Sequence, residues 1–377
     1  MNPPIANKYF DNAATSFPKP KEVAEEMTRY LTRVGGPYGR SAYPRAFEVS
    51  KTVEKARDRL GEFMGIGKPE SIVFTPNATH SINAVLFGLL SKGGRVLISP
   101  LEHNAVMRPL ARLNFLYGTS FDIIPSYPDG KIDIALFRKS LSAKTKLVVI
   151  NHQSNVNGVI QPIAEIKKAA GEVPLLVDAS QSAGTVPLEI DKWNIDFLAF
   201  TGHKSLLGPT GTGGLFIRNH KLIGPLIFGG TGSVSESFEM PETLPDRFEA
   251  GTGNIAGIFG LLAAVEHRPE PMHSETDYHE LIQNVKKING FRLVSAANPE
   301  DQGSVFSIVH EDRDPAHISN ELSGKFGVET RVGLHCAPLA HKHLGTFPKG
   351  TIRIAHSPYH SKEDFAYLLR ALEEVSK

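Results

Sequence analysis

Phe200-Thr201-Gly202-His203-Lys204 closes an apolar run and precedes a glycine-rich stretch, Gly208-Pro-Thr-Gly-Thr-Gly-Gly214. A lysine at the end of a strand can form a Schiff base with an aldehyde, provided its surroundings lower its pKa. Most lysines are surface residues, so this reading needs a second group. Val177-Asp178-Ala179-Ser180-Gln181 supplies one at the end of the preceding apolar run, with Asp178 26 positions before Lys204. A buried carboxylate facing a pyridine nitrogen keeps that nitrogen protonated and lets the ring accept electrons from a carbanion. Gln181 can then donate to the ring's phenolic oxygen. In other settings an aspartate ending a strand serves as a turn or cap residue.

An anion site is also needed. Thr75-Pro76-Asn77-Ala78-Thr79 lies between an apolar run and a helical pattern, where free backbone N–H groups and the helix dipole favour a phosphate. Thr79 as a plain helix cap explains the stretch nearly as well. His103, at the start of the next helical pattern, can lay its ring over a flat ligand, although a capping histidine is the commoner case. Cys336 is the only cysteine, so an internal disulfide and a multi-cysteine metal site are excluded. A lone cysteine is usually a small buried hydrophobe. Here it stands in Gly333-Leu-His-Cys-Ala-Pro338 close to Arg331, and basic neighbours favour the nucleophilic thiolate.

The elements that must position these groups follow from periodicity. Short runs at Ile72–Phe74, Arg95–Ser99, Lys146–Asn151, Pro174–Asp178, Asp196–Thr201 and Gly213–Arg218 read as strands. Helical patterns run over Pro44–Met64, from near Thr79, from about His103, and over Ile163–Ala170. Alternation of this kind predicts a mostly parallel sheet covered on both faces, with ligands at the carboxyl ends of its strands. Residues 229–254, rich in glycine, serine, glutamate and proline, read as a long loop or lid. After a polar break at His267–Tyr278, a new βαβ-like pattern includes Gly303–Val309 and Thr351–Ala355, and Lys362–Val375 reads as an amphipathic helix. The expected partition is a large domain over 16–260 and a smaller one from 1–15 and 261–377.

In this order, Asp11-Asn-Ala-Ala-Thr15, Asn77-Ala-Thr79, Glu102-His103, Ser154-Asn155, Asp178-x-x-Gln181, Gly202-His-Lys204 and Arg331-x-Gly-x-His-Cys336 resemble class V aminotransferase-fold enzymes over nearly the whole chain. More narrowly, the set is similar to the group II cysteine desulfurases and selenocysteine lyases. The resemblance implies an α/β fold of the pyridoxal-phosphate-dependent transferase kind (aspartate aminotransferase-like, fold type I), with a large mostly parallel-sheet domain and a smaller α+β domain. It implies pyridoxal 5'-phosphate on Lys204, Asp178 and Gln181 at the pyridine ring, and a catalytic His103 stacked on it. Ala78, Thr79, Thr201 and His203 would hold the phosphate, and Asn155 would sit beside the cofactor. Asn12, Ala13, Asn155 and Arg353 would bind substrate, the arginine through its carboxylate. Gly251 and Thr252 would reach a partner subunit's phosphate, which implies a homodimer.

The activity implied is conversion of L-cysteine to L-alanine, with Lys204 moving the proton and Cys336 taking the sulfur as a persulfide. A sulfur-acceptor protein would receive it for iron–sulfur cluster or other sulfur-containing cofactor synthesis. L-Selenocysteine would be handled by the same residues. A C–S lyase, epimerase or aminotransferase of this fold would share Lys204 and Asp178 without needing Cys336, and a non-catalytic scaffold would need none of Lys204, Asp178 and Arg353. The stretch Ala337–Gly350 departs from the family pattern. Its His341-Lys-His343 pair reads as two solvated histidines in a mobile loop, with no metal.

Bulk properties agree with a globular enzyme. Glycine and proline make up 60 of 377 residues, rich in turns but short of the fraction that signals disorder. The 41 basic and 40 acidic residues leave a net charge of +1 with no block of one sign, which argues against nucleic acid or a membrane surface as partner. Met1–Lys8 carries no long apolar stretch of the signal-peptide kind and no run approaches a membrane span, so the cytoplasm is the expected compartment.

Overall fold

The computed structural model describes residues 7–39 and 41–377; Met1–Ala6 of the expected small domain and of the N-terminal targeting argument lie outside them. Seven strands, β1 (Ile72–Thr75), β2 (Arg95–Ile98), β3 (Ser120–Ile123), β4 (Thr145–Asn151), β5 (Leu175–Asp178), β6 (Phe197–Thr201) and β7 (Gly213–Ile217), form one sheet in the order β1-β7-β6-β5-β4-β2-β3. The pairs β3–β2, β2–β4, β4–β5 and β5–β6 are parallel, whereas β7 runs antiparallel to both its neighbours. The large sheet is therefore mostly parallel, as the alternating pattern predicts.

Side chains alternate across it. Val148 and Ile150 of β4 join a core with Leu60, Met64, Ile163 and Ile166, while Leu147 and Val149 join the opposite core with Ile82, Val85, Val106 and Leu110. Both faces are covered by helices, so both sets must be apolar and the strands read as continuous apolar runs. Three helices match their sequence ranges: Pro44–Met64, Ile163–Ala170 and Lys362–Val375. The last begins with a Ser361/Asp364 capping box, which satisfies otherwise unpaired first-turn N–H groups.

The second sheet corrects an expectation. β8 (Phe291–Val294), β9 (Val305–His310), β10 (Arg331–Gly333) and β11 (Thr351–Ala355) pair in the order β10-β11-β9-β8, and every pair is antiparallel. A βαβ unit would have made them parallel. The helix Pro315–Phe326 follows β9 but leads to the three-residue edge strand β10, leaving β11 to pair with both. The N-terminal segment joins this layer: Tyr9 bridges to Glu329 and Asp11 to Ala355, and Phe10 is buried in the small core. The segment 229–254 holds only one short 3₁₀ turn, Asp246–Phe248, and is otherwise irregular. No helix among the described residues is long and apolar enough to cross a membrane.

Candidate active site

A pocket opens at the carboxyl ends of β1, β4, β5 and β6 and at the loop beyond β2. Asn77, Ala78 and Thr79 come from the β1–helix junction, His103 from the loop after β2, and Asn151 and Asn155 from the end of β4. Asp178, Ser180 and Gln181 follow β5, and Thr201, His203 and Lys204 follow β6.

The anion end rests on the twelve-residue helix Ala78–Leu89. Asn77, not Thr79, caps it, its side-chain oxygen accepting from His80 N at 3.0 Å. Thr79 is thereby left in the first turn, where unpaired N–H groups and the dipole favour a negative group. Gly213 makes the junction possible: a Cβ there would lie 2.9 Å from Asn77 Cα and 2.7 Å from Phe200 O. His203 adds a ring whose Nδ1 is buried without a partner among the described residues. Burial first, then Lys204 and Lys19, pull its pKa down to about 4.

Lys204 is half-buried. Desolvation brings its pKa from 10.5 to about 8; Asp178 and Cys336 oppose the shift, while Arg353 and Arg331 add to it. An amine so placed is partly neutral near pH 7, as a nucleophile or proton carrier requires. Asp178 accepts from Ser180 N at 2.9 Å and from Ser180 Oγ, both on Oδ1. Its other oxygen takes no protein donor among the described residues and remains for a ligand N–H. Gln181 spends one amide N–H on Ala13 O at 3.0 Å, which ties the N-terminal segment to the pocket.

His103 is both a cap and a wall. Its Nδ1 accepts from Ala105 N at 3.0 Å, so the neutral ring carries its proton on Nε2. Burial, followed by the charge of Lys204, holds its pKa near 4, and Asp178 only partly offsets this. At neutral pH it therefore presents an uncharged ring to a ligand. A flat heteroaromatic aldehyde with a phosphate tail fits this donor set: a helix N-terminus and two threonines for the tail, a carboxylate for a ring N–H, a neutral imidazole face and an amine for the aldehyde.

Of the remaining sequence-selected residues, Asn155 lines this pocket, whereas Asn12, Ala13, Arg353, Gly251 and Thr252 do not. Arg353 on β11 is buried; it donates to Asp11 Oδ1 at 2.7 Å and to Asn155 O at 3.2 Å, and its Nε has no partner among the described residues. Asn155 Nδ2 donates to His335 O at 2.8 Å, while its Oδ1 is buried and unpartnered among the described residues. Asn12 is less free: Nδ2 donates to Tyr9 O and Ala355 O and Oδ1 accepts from Phe17 N, so its amide braces the segment. Gly251 and Thr252 are exposed and absent from the pocket lining of their own chain.

Cys336 is exposed and does not line the pocket, but its carbonyl accepts from Asn104 N at 2.7 Å, the residue after His103. Ala337–Gly350 also differs from its sequence reading. It contains the helix Pro338–His343, and His341 is fully buried, its Nδ1 2.6 Å from Thr346 Oγ1. The expectation of solvation is corrected because the helix turns His341 inward, its ring centroid 5.4 Å from that of His335, which spacing of two histidines cannot reveal. His343 is half-buried, with Nε2 3.0 Å from Tyr127 O.

Sequence reasoning missed Asn151, Ser180 and the part played by Glu102. Asn151 is the register partner of Asp178, a fact set by strand pairing alone. Glu102 is fully buried, and Oε1 accepts from Ser99 Oγ at 2.6 Å and Asn151 N at 2.7 Å, joining the ends of β2 and β4. Burial raises its pKa to about 8, opposed by the Ser99 hydrogen bond and reinforced by Asp178. Its place next to His103 in the Glu-His motif was the available signal.

The aminotransferase class-V family model matches residues 8–368. A probable cysteine desulfurase of Methanothermobacter thermautotrophicus is 32% identical, covering 99% of this chain and 96% of its own. The apo structure of the cysteine desulfurase of Thermococcus onnurineus superposes with a TM-score of 0.88 at 30% identity, over 97% of this chain and 94% of that one. The Escherichia coli cysteine desulfurase CsdA, in an S-sulfonic acid form, gives 0.86 at 26% identity, with coverage of 97% and 94%. The chain belongs to the class-V aminotransferase family.

Proposed function

We propose that the protein is a pyridoxal-phosphate-dependent cysteine desulfurase, acting on L-cysteine with Lys204, Cys336 and His103 as its catalytic residues. The observation that carries the reading is the convergence of Lys204, Asp178 and His103 on one pocket, with Cys336 fastened by its carbonyl to Asn104. Pyridoxal phosphate, when bound, supplies an electron-withdrawing ring that takes up the electrons left as the substrate's Cα–H bond breaks. Asp178 holds the ring nitrogen, and His103 presents a neutral ring face. Ala78, Thr79, Thr201 and His203 receive the phosphate.

Arg353, buried and anchored on Asp11, takes the substrate carboxylate. Lys204, with its lowered pKa, takes the proton from Cα and returns one there before alanine leaves, while the proton given up by the Cys336 thiol supplies the third hydrogen of the alanine methyl group. The Cys336 sulfur attacks the substrate's sulfur as the Cβ–S bond breaks. The S–S bond that forms leaves a persulfide on the enzyme and alanine as product, with no external oxidant. A thiol reductant or an acceptor protein then removes the outer sulfur. Gly251 and Thr252, exposed and off their own pocket, suit contact with the phosphate of a second copy in a homodimer. We read the enzyme as cytoplasmic and supplying sulfur for iron–sulfur or other cofactors; selenocysteine is a second substrate for the same residues.

The test is product analysis with L-cysteine, pyridoxal phosphate and a thiol reductant. Alanine and sulfide in equal amounts, both lost in Cys336→Ala and Lys204→Ala, is the expected result. Pyruvate and ammonia in place of alanine, or full activity in Cys336→Ala, would make the protein a lyase.

A further inference from the structure

The turn that presents Cys336 is unusual in its backbone. His335 and Cys336 both have positive φ, 47° and 57°, two consecutive side-chain-bearing residues in the left-handed region. Each such residue costs energy that surrounding contacts must offset. The main-chain contacts are on hand: Asn155 Nδ2 donates to His335 O, Asn104 N to Cys336 O, and Ala337 N to Leu334 O at 2.7 Å.

Beneath them lies a buried pair of imidazoles that the proposed chemistry does not use. His335 is 4% exposed with Nε2 2.9 Å from Thr351 Oγ1, and His341 is 0% exposed with Nδ1 2.6 Å from Thr346 Oγ1. Their ring centroids are 5.4 Å apart, and the second nitrogen of each, His335 Nδ1 and His341 Nε2, is sealed from solvent without a partner among the described residues. Burial holds both rings neutral at physiological pH, with His341 near 4. The His341 main chain is bound on both sides as well: its N–H donates to Ala337 O at 3.2 Å, and its carbonyl accepts from Thr346 N at 2.9 Å. The unpartnered Nε2 is a cost of burying this ring, and the bonds at Nδ1 and at the main chain hold it in one place.

We propose that His341 is a positioning residue for Cys336. Packed on His335 and tied to Thr346, it clamps the left-handed His335–Cys336 turn and so holds the sulfur in line for transfer. The role of Cys336 as sulfur acceptor rests on the desulfurase reading; the clamp itself does not. Orientation at this level matters because misplacing a reacting atom by about 1 Å can cost on the order of a hundredfold in rate.

The experiment compares holoenzyme carrying His341→Leu, His341→Asn or Thr346→Val with wild type. His341→Leu keeps the volume and removes the polar nitrogens; His341→Asn restores a donor near Nδ1; Thr346→Val removes the oxygen that orients the ring. First-turnover alanine formation should fall about tenfold or more in His341→Leu and Thr346→Val. The absorbance of bound cofactor and KM for L-cysteine should stay unchanged, and His341→Asn should recover most of the rate. Amide exchange at Asn104, whose N–H bonds to Cys336 O, should speed up in parallel in the two impaired variants. Wild-type-like first-turnover rates with Asn104 still protected would overturn the proposal, as would a rate loss that merely tracks loss of cofactor. Should His341→Leu fail to fold, Thr346→Val decides by the same two results. If wild type itself makes no alanine, the desulfurase reading fails, and Asn104 exchange still decides the clamp.

Discussion

Lys204 offers the sharpest test of the electrostatics. Its pKa falls from 10.5 to about 8, chiefly through burial. With the ordinary value, about one amine in 3,000 would be neutral at pH 7; with the lowered value the fraction is about one in eleven. Only the neutral amine attacks an aldehyde, so the site gains roughly 300-fold in reactive lysine at that pH. Apoprotein mixed with pyridoxal phosphate at a series of pH values, trapped with borohydride and mapped by mass spectrometry, gives the rate of capture at Lys204. That rate should be half its plateau near pH 8 and level off above about 9. An unshifted lysine would keep climbing about tenfold per pH unit to pH 10.

Asp178 raises the lysine's pKa, so Asp178→Asn should move the midpoint below 8. The same shift has a stability consequence of fixed sign. Between pH 8 and 10.5 the unfolded chain binds more protons at this lysine than the folded one, so its contribution to apoprotein stability improves as pH rises through that window. The Tm difference between wild type and Lys204→Met should accordingly narrow from pH 8 to 10. A capture midpoint at pH 10 or above, or an upward shift in Asp178→Asn, would refute the reasoning.

Two further variants probe the frame. Arg353→Lys keeps the charge but loses the planar fork that holds Asp11, Asn155 and a carboxylate together. KM for L-cysteine should rise about ten- to a hundredfold, the loss of one charged hydrogen bond of about 1.5–3 kcal/mol, with a smaller effect on kcat; steady-state kinetics decides, and an unchanged KM would remove Arg353 from the substrate site. Arg57 is fully buried, donates to Glu249 with two nitrogens at 2.8 and 2.9 Å, and lies over the Phe74 ring at 4.5 Å. Arg57→Leu should cost about 3–5 kcal/mol in urea unfolding, because Glu249 is left without its cation, and Arg57→Leu/Glu249→Leu should cost less than the single change.

Where an element is defined by its own residues, the sequence is a sufficient guide. The Lys362–Val375 helix has both its capping box and its apolar stripe within a single stretch. Lys204 and Asp178 could be picked out because chemistry of this kind sits just beyond strand ends, and two strands one crossover apart were legible as apolar runs. Cys336 could be singled out by its motif, although nothing local said that its carbonyl meets Asn104, 232 positions away.

Pairing and depth were decided by the tertiary structure. Period-two alternation does not say which neighbour a strand will choose, so the reversed insertion of β7 between β1 and β6 and the wholly antiparallel second sheet were out of reach. The same holds for Asn151 facing Asp178, for Glu102 bridging two strand ends, and for Asn12 being consumed by the backbone around it. His341 shows the limit most plainly: by residue type it belongs in water, and it is buried because the helix around it packs against the turn of Cys336. Propensity and motif are properties of contiguous residues, whereas burial and hydrogen-bond partnership depend on which segments, near or far along the chain, come to lie together, and that is decided only once the whole chain has closed on itself.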